Sequence, residues 1–369
     1  MISAEDKRLF ENLFVLELAN NHWGDLERGL RIVREFATVA RVNAVRTAIK
    51  LQFRDVDSFI HPAFKGLTES RYIKKTEATK LSIEEFRALI EEIRRCSCIP
   101  MATPFDEASV ELCGLFDLPL IKIASSGIAT WPLLERVARL RRPVIISTGG
   151  AKEKTIDDCV RFFENRDIPL AINHCVSLYP SEDGELELNQ LDYLRQRYSD
   201  HVIGFSTHEH GDWHSSMLLS YAKGARTWER HIDIDYNGVP ISPYCSLPHQ
   251  IDSWFKAYHK AVEMCGGSCQ DRRPIPDRER HYLDELLRGI YARRDLPEGY
   301  IFDSATFERD FYLAIPLHRG QLSCREVING ERLTRAIQAD DRLSIDHVDG
   351  PYSSNPALRK TILERGRTE

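Results

Sequence analysis

Eight apolar, β-branched runs, each closed by a polar or ionisable residue, constrain this chain more than any other feature. They are LFVLE, ending at Glu17; AVRTAIKLQ, with Lys50 and Gln52; IPMAT, at Thr103; and LPLIKIASS, with Lys122 and Ser125. PVIIST then ends at Ser147 and Thr148, PLAINH at His174, HVIGFSTH at Ser206 and His208, and ARTWERH at His231. Between them lie stretches with apolar residues three and four apart, long enough for helices. Strand and helix alternating eight times over roughly 230 residues predict a (β/α)8 TIM barrel. Strand C-termini converge on one mouth in such a barrel, so eight polar endings imply an active site there.

The spacing puts strands near 13–18, 45–52, 98–103, 119–125, 143–148, 168–174, 202–207 and 226–231. Ser82 followed by Glu84 and Glu85 is a helix start, because an oxygen cap and early acids satisfy the first N–H groups. The segment from Arg54 to Lys80, holding Tyr72, Lys74 and Lys75, exceeds what a barrel loop needs and reads as a lid or an inert insertion. The barrel domain is expected over 1–265, a Gly/Pro/charge-rich linker over 266–285, a small β-rich domain over 286–350, and a polar tail over 351–369.

Composition narrows the class. Hydrophobic residues make up 42% of 369, enough for a sizeable core, and the formal charge is −6 without a block of like charge. A nucleic-acid or anionic-membrane partner is therefore not expected. No apolar run approaches 18 residues, and MISAEDKRLFENLF lacks the basic start and apolar core of a signal peptide. Nine cysteines, odd in number and irregularly spaced, argue against a disulfide framework and for a reducing cytoplasm.

His208 and His231 close neighbouring strands, where two imidazoles suit a divalent transition metal as well as they suit structural hydrogen bonding. Lys50 and Lys122 interrupt apolar strands, and a buried ammonium needs an anion or an acid. Internal salt bridges to Glu17 or Asp106 would satisfy them. Together with the hydroxyls of Thr103, Ser125, Ser147 and Ser206, they also fit a phosphate or carboxylate ligand. A Schiff-base lysine is a third reading. Glu17 is a candidate base or hydroxyl-orienting carboxylate, and Tyr179 follows the sixth strand where a phenol meets a substrate.

ELANNHWGD, AIKLQ, ATPFDEASV, KIASSGIATWPLLE, PVIISTGGA, HCVSLYP, IGFSTHEHG and ERHIDID resemble, in order and spacing, the signature blocks of the sialic acid synthase (N-acetylneuraminate synthase) family. RGIYARRDLPEG resembles the start of that family's C-terminal antifreeze-like (SAF) domain. The resemblance implies a transferase that condenses phosphoenolpyruvate with an aldose, using Mn2+ or Mg2+ and releasing phosphate. It implies His208 and His231 as metal ligands, and Lys50, Thr103, Lys122, Ser125, Ser147 and Ser206 around phosphoenolpyruvate. Glu17, Gln52 and Tyr179 fall beside the aldehyde, and Arg309 matches an SAF arginine that reaches the partner's mouth in a domain-swapped homodimer. Three blocks depart from the family pattern: Ser126–Gly127–Ile128 replaces an acid, NGVPISPYCSLP replaces a GPD block, and Ser177 or Leu178 stands for an asparagine. All three lie on the aldose side, which points to a different acceptor sugar. The alternatives are a non-catalytic sugar or phosphate sensor on the same scaffold, or a Schiff-base pyruvate aldolase.

Overall fold

The computed structural model describes residues 4–66, 70–267, 271–326, 328 and 330–368, with the side chains of Ala4, Arg71 and Tyr72 outside that description. The chain divides into two compact units, Met1–Gly266 and Gly267–Glu369.

The first unit is a closed barrel of eight parallel strands in sequence order. The strands are β1 (Leu13–Ala19), β2 (Arg46–Phe53), β3 (Ile99–Pro104), β4 (Leu120–Ile123), β5 (Val144–Ser147), β6 (Leu170–Cys175), β7 (Val202–Thr207) and β8 (Thr227–His231). β8 closes on β1 with Leu13 opposite Thr227 and Glu17 opposite His231. Helices alternate with the strands, as the apolar periodicity requires. One is Ile83–Arg95, whose start is a reciprocal cap between Ser82 and Glu85.

Successive side chains on a strand face opposite sides, so each strand writes two sequences at once. On β1, Phe14, Leu16 and Leu18 join the large core between barrel and helices. Leu13 and Val15 turn inward and pack with Ala48, Met101, Leu120, Ile145, Ala171 and Val202 into an apolar plug. Phe10, on the helix Ala4–Phe10, belongs to the same plug. Two residues further along the same inward faces come Glu17, Lys50, Thr103, Lys122, Ser147, Asn173, Gly204 and Glu229. The period of two therefore switches the interior from apolar to polar between one layer and the next. Gly204 is compelled by crowding: a Cβ there would lie 2.2 Å from Thr227 Cγ2 and 2.3 Å from Asn173 Oδ1.

Closure is sealed on the outside by aromatic packing. The Phe14 ring stacks on Trp228 at 5.1 Å and meets Trp254 and Phe255 of the helix Pro248–Cys265 edge-on. Eight cysteines are free, and Cys269 lies outside the described residues.

The second unit pairs Gly289–Ala292 with Phe311–Ala314 and Arg332–Leu333 with Val348–Asp349, both antiparallel. Its core gathers Ile290, Phe302, Phe311, Leu322, Leu343 and Ile345. Within 266–285 the chain forms the helix Asp277–Glu285, none of whose residues is buried. The residues after Pro351, expected to be a polar tail, form the helices Pro351–Ser354 and Pro356–Glu364. Ile362 is buried in the second unit's core, which anchors them.

Candidate active site

A cavity of about 570 Å3 opens at the C-terminal ends of the barrel strands. Glu17, Lys50, Gln52, Thr103, Lys122, Ser125, Ser147, Tyr179, Ser206, His208 and His231 all line it. Arg309 belongs to the second unit, where its guanidinium grips the carboxylate of the buried Asp310 beside it at 2.8 and 3.0 Å.

The two lysines share one carboxylate that sequence reasoning missed. Lys122 Nζ donates to Glu229 Oε2 at 2.8 Å, and Lys50 Nζ lies 3.6 Å from Glu229 Oε1. Lys50 also pairs with Glu17 and donates to Thr103 Oγ1 at 2.9 Å. Glu17 Oε1 in turn accepts from Gln52 Nε2 at 3.2 Å, and Ser206 Oγ donates to Glu229 Oε1 at 3.2 Å. Asp106, the other sequence candidate for pairing a lysine, instead caps the helix Glu107–Leu115 through the Ser109 amide. Glu229 was legible in ERH: it stands two residues before His231, hence on the same face of β8.

These charges hold one another. Burial would raise the Glu229 carboxyl, but Lys122 and then Lys50 outweigh it and keep the group ionised well below the usual carboxylate range. Burial brings the Lys50 ammonium down to about 8, against the opposing pull of Glu229. Lys50 and Lys122 are thus paired with Glu17 and Glu229 inside a cavity that Arg54 and Lys75 also line. An anion binding at Lys122 competes with Glu229 for a hydrogen bond already formed.

His208 and His231 face each other with ring centroids 5.5 Å apart. His208 Nδ1 lies 2.9 Å from the Val176 carbonyl, which fixes its proton there and turns Nε2 toward the cavity. Burial lowers His208 to about 4, and burial followed by His208 and Lys50 pushes His231 well down. Both rings are therefore neutral at pH 7, the form that binds a metal. His231 Nδ1 is buried with no hydrogen-bond partner among the described residues. That unpartnered nitrogen and the aimed ring of His208 fit a divalent cation. Among the described residues no third His, Cys, Asp or Glu completes a cluster, so further positions would fall to substrate or water.

Aromatic and polar side chains line the rest of the cavity. The Tyr179 ring lies 4.0 Å from that of His208, and Tyr244 meets Tyr179 and His231 edge-on at 5.2 and 5.1 Å. Ser126, Ser177 and Tyr244 line the wall. A Cβ on Gly127 would meet Leu133 and Ile123, so this position faces the core. Arg54 stacks on Phe105 at 3.7 Å and donates to Gln52 Oε1 at 2.9 Å, and Lys75 sits 5.1 Å over Trp23. Lys75, on the helix Arg71–Ala78 of the long 54–80 segment, brings that segment into the cavity wall.

Residues 38–269 match the NeuB family. The chain is 30% identical to the uncharacterized protein MJ1065 of Methanocaldococcus jannaschii, over 81% of this chain and 87% of that one. It is 27% identical to a pseudaminic acid synthase of Campylobacter jejuni, over 80% and 85% respectively. Among solved structures, a Chromobacterium violaceum protein assigned to spore coat polysaccharide biosynthesis superposes with a TM-score of 0.86 at 34% identity, covering 92% of this chain and all of that one. A sialic acid synthetase from Leptospira borgpetersenii superposes with a TM-score of 0.65 at 26% identity, covering 74% of this chain and 91% of that one.

Proposed function

The chain belongs to the NeuB family, and on that premise we propose that it condenses phosphoenolpyruvate with an aldose to give a 2-keto sugar acid and phosphate. The named synthases among its relatives support a sugar-acid-forming transferase, including one for pseudaminic and one for legionaminic acid. The observation that carries the reading is the single cavity in which two ammonium groups meet two neutral imidazoles.

In this reading Lys50 and Lys122 bind the phosphate and carboxylate of phosphoenolpyruvate. Thr103, Ser125, Ser147 and Ser206 supply hydroxyl hydrogen bonds to the same groups. Ser147 Oγ, buried and with no hydrogen-bond partner among the described residues, supports that role. Substrate anions displace part of the Glu229 pairing, and the buried lysines stay charged because each retains an anionic neighbour. His208 and His231 would hold Mn2+ or Mg2+, which as a Lewis acid polarises the aldehyde of the acceptor. Glu17, steadied by Gln52 and Lys50, and Tyr179 orient that acceptor. C3 of phosphoenolpyruvate then bonds to the aldehyde carbon, whose oxygen takes up a proton. Water adds its hydroxyl at C2, and the tetrahedral centre collapses to the ketone with loss of phosphate. No lysine forms a covalent adduct.

The acceptor wall of Tyr179, Tyr244, Ser126 and Ser177 supports an aldose other than a standard N-acylmannosamine. The second unit corresponds to the antifreeze-like domain, whose Arg309 would reach the partner's mouth in a domain-swapped dimer; full activity in a monomer by light scattering rules that swap out. A phosphoenolpyruvate substrate fits a cytoplasmic location. Among the described residues no helix is long and apolar enough to cross a membrane.

The test is phosphate release from phosphoenolpyruvate against a panel of aldoses with Mn2+. No turnover with any aldose, together with no phosphoenolpyruvate binding by calorimetry, overturns the proposal. The lowered Lys50 favours one rival, a Schiff-base pyruvate aldolase. A borohydride-trapped pyruvate adduct on Lys50, with activity insensitive to EDTA, would establish it.

A further inference from the structure

Side chains next to His208 and His231 in the chain point away from the cavity, and there they find each other. Glu209 follows His208 and Arg230 precedes His231, and both are 1% exposed. Arg230 Nη1 donates to Glu209 Oε1 at 2.7 Å, and its Nη2 donates to the Glu209 carbonyl at 2.6 Å. The third guanidinium nitrogen, Nε, donates to Ser246 Oγ at 2.6 Å. Ser216 Oγ donates to Glu209 Oε1 at 2.5 Å, and the Trp213 indole N–H donates to Ser246 Oγ at 2.8 Å. The backbone extends the tie, since the Ser246 amide donates to the His231 carbonyl at 2.9 Å and the Ser181 amide to the His208 carbonyl at 3.2 Å.

From this network we infer that Arg230 and Glu209 are positioning residues, a buried clamp that sets the separation of the two imidazoles. The inference rests on the reading that His208 and His231 hold a divalent cation. Three features argue for the clamp. A buried ion pair is a poor source of stability compared with apolar residues of the same volume, so its use here calls for another reason. A guanidinium fork fixes direction as well as distance, which an aliphatic contact cannot do. The fork also grips Glu209 at side chain and main chain together, one residue from a ligand on each of two strands. Metal ligands tolerate errors of only a few tenths of an ångström, so a loosened strand end would appear first as lost affinity.

The experiment is a Mn2+ titration of the full-length protein without substrate, read by the electron paramagnetic resonance signal of free Mn2+. Glu209→Ala and Arg230→Met are expected to weaken Mn2+ binding about 10- to 100-fold. Glu209→Gln keeps the oxygen that accepts from Arg230 and Ser216, and is expected to stay within about threefold of the parent. Phe163→Leu, in the fully buried core of the helix Glu153–Glu164, controls for lost stability and should leave the affinity unchanged. If Glu209→Ala and Arg230→Met melt earlier yet bind Mn2+ like the parent, the pair is only structural and the clamp is overturned. If neither folds, Ser246→Ala, which removes the bonds from Arg230 Nε and Trp213 Nε1 and spares the ion pair, must still weaken binding at least threefold; parental affinity there overturns it too. A parent protein that binds no Mn2+ overturns the metal reading itself, and the clamp with it.

Discussion

Lys122 and Glu229 face each other across the barrel, 107 residues apart in the chain, with Nζ donating to Oε2 at 2.8 Å. Lys50 reaches the other oxygen of the same carboxylate at 3.6 Å, so one acid serves two buried bases. With Glu17 beside Lys50, this explains how a buried site holds two ammonium groups before any substrate arrives. It also makes Glu229 the residue on which both the stability and the charge state of the cavity depend.

Removing that charge should cost more than one hydrogen bond. Glu229→Gln leaves the buried Lys122 without its counter-ion and Lys50 with Glu17 alone, with an expected loss of about 3–5 kcal/mol in urea unfolding followed by barrel tryptophan fluorescence. Pairing it with Lys122→Met should recover part of the loss, because the double variant buries one charge fewer. Additive losses in the double variant would show that the two residues do not share an interaction.

Acid should destabilise the protein through His22. Burial holds this ring at about 4 in the fold, against 6.5 for a free histidine. The unfolded chain therefore binds the extra proton between these values, and stability falls as pH drops through that window. The contribution is complete above pH 6.5 and approaches a loss of about 3 kcal/mol near pH 4. His22→Gln keeps an acceptor for the Gly24 amide, which donates to His22 Nδ1 at 3.1 Å. The difference between parent and variant unfolding free energies at pH 7 and pH 4.5 isolates this one group. An unchanged pH slope in the variant would contradict the assignment.

Chelation should abolish turnover. With EDTA, phosphate release is expected to fall by about 10^2-fold or more and to return on adding Mn2+ or Mg2+. His208→Ala should lose the activity without recovery by metal at ordinary concentrations, while still binding phosphoenolpyruvate through Lys50 and Lys122. Full activity in EDTA would remove the metal from the mechanism.

Tyr244 should set acceptor preference. Its ring lines the cavity and packs edge-on against Tyr179 and His231. Tyr244→Ala is expected to raise KM for the aldose by about tenfold, the scale of one aromatic contact, and to leave KM for phosphoenolpyruvate within about twofold. A matching rise in both constants would mean that the substitution disturbs the whole mouth.

Much of this protein is decided along the chain. Apolar and polar residues alternating with a period of two, interrupted by helical spacing, determine eight strands and the face each residue takes. Leu13, Val15 and Glu17 show the rule in three consecutive inward positions, two apolar in the plug and one ionisable in the cavity. The same rule put Lys50, Lys122, His208 and His231 among residues that converge. What it could not decide was who meets whom. Glu229 reads as one more strand residue until closure of β8 onto β1 and the stagger of the strands carry it between two lysines. Arg230 and Glu209 are likewise separated by 21 residues and join only because β7 and β8 are neighbours in register. Local backbone geometry sets the direction of a side chain, whereas the pairing of charges depends on distances that exist only once the sheet has closed.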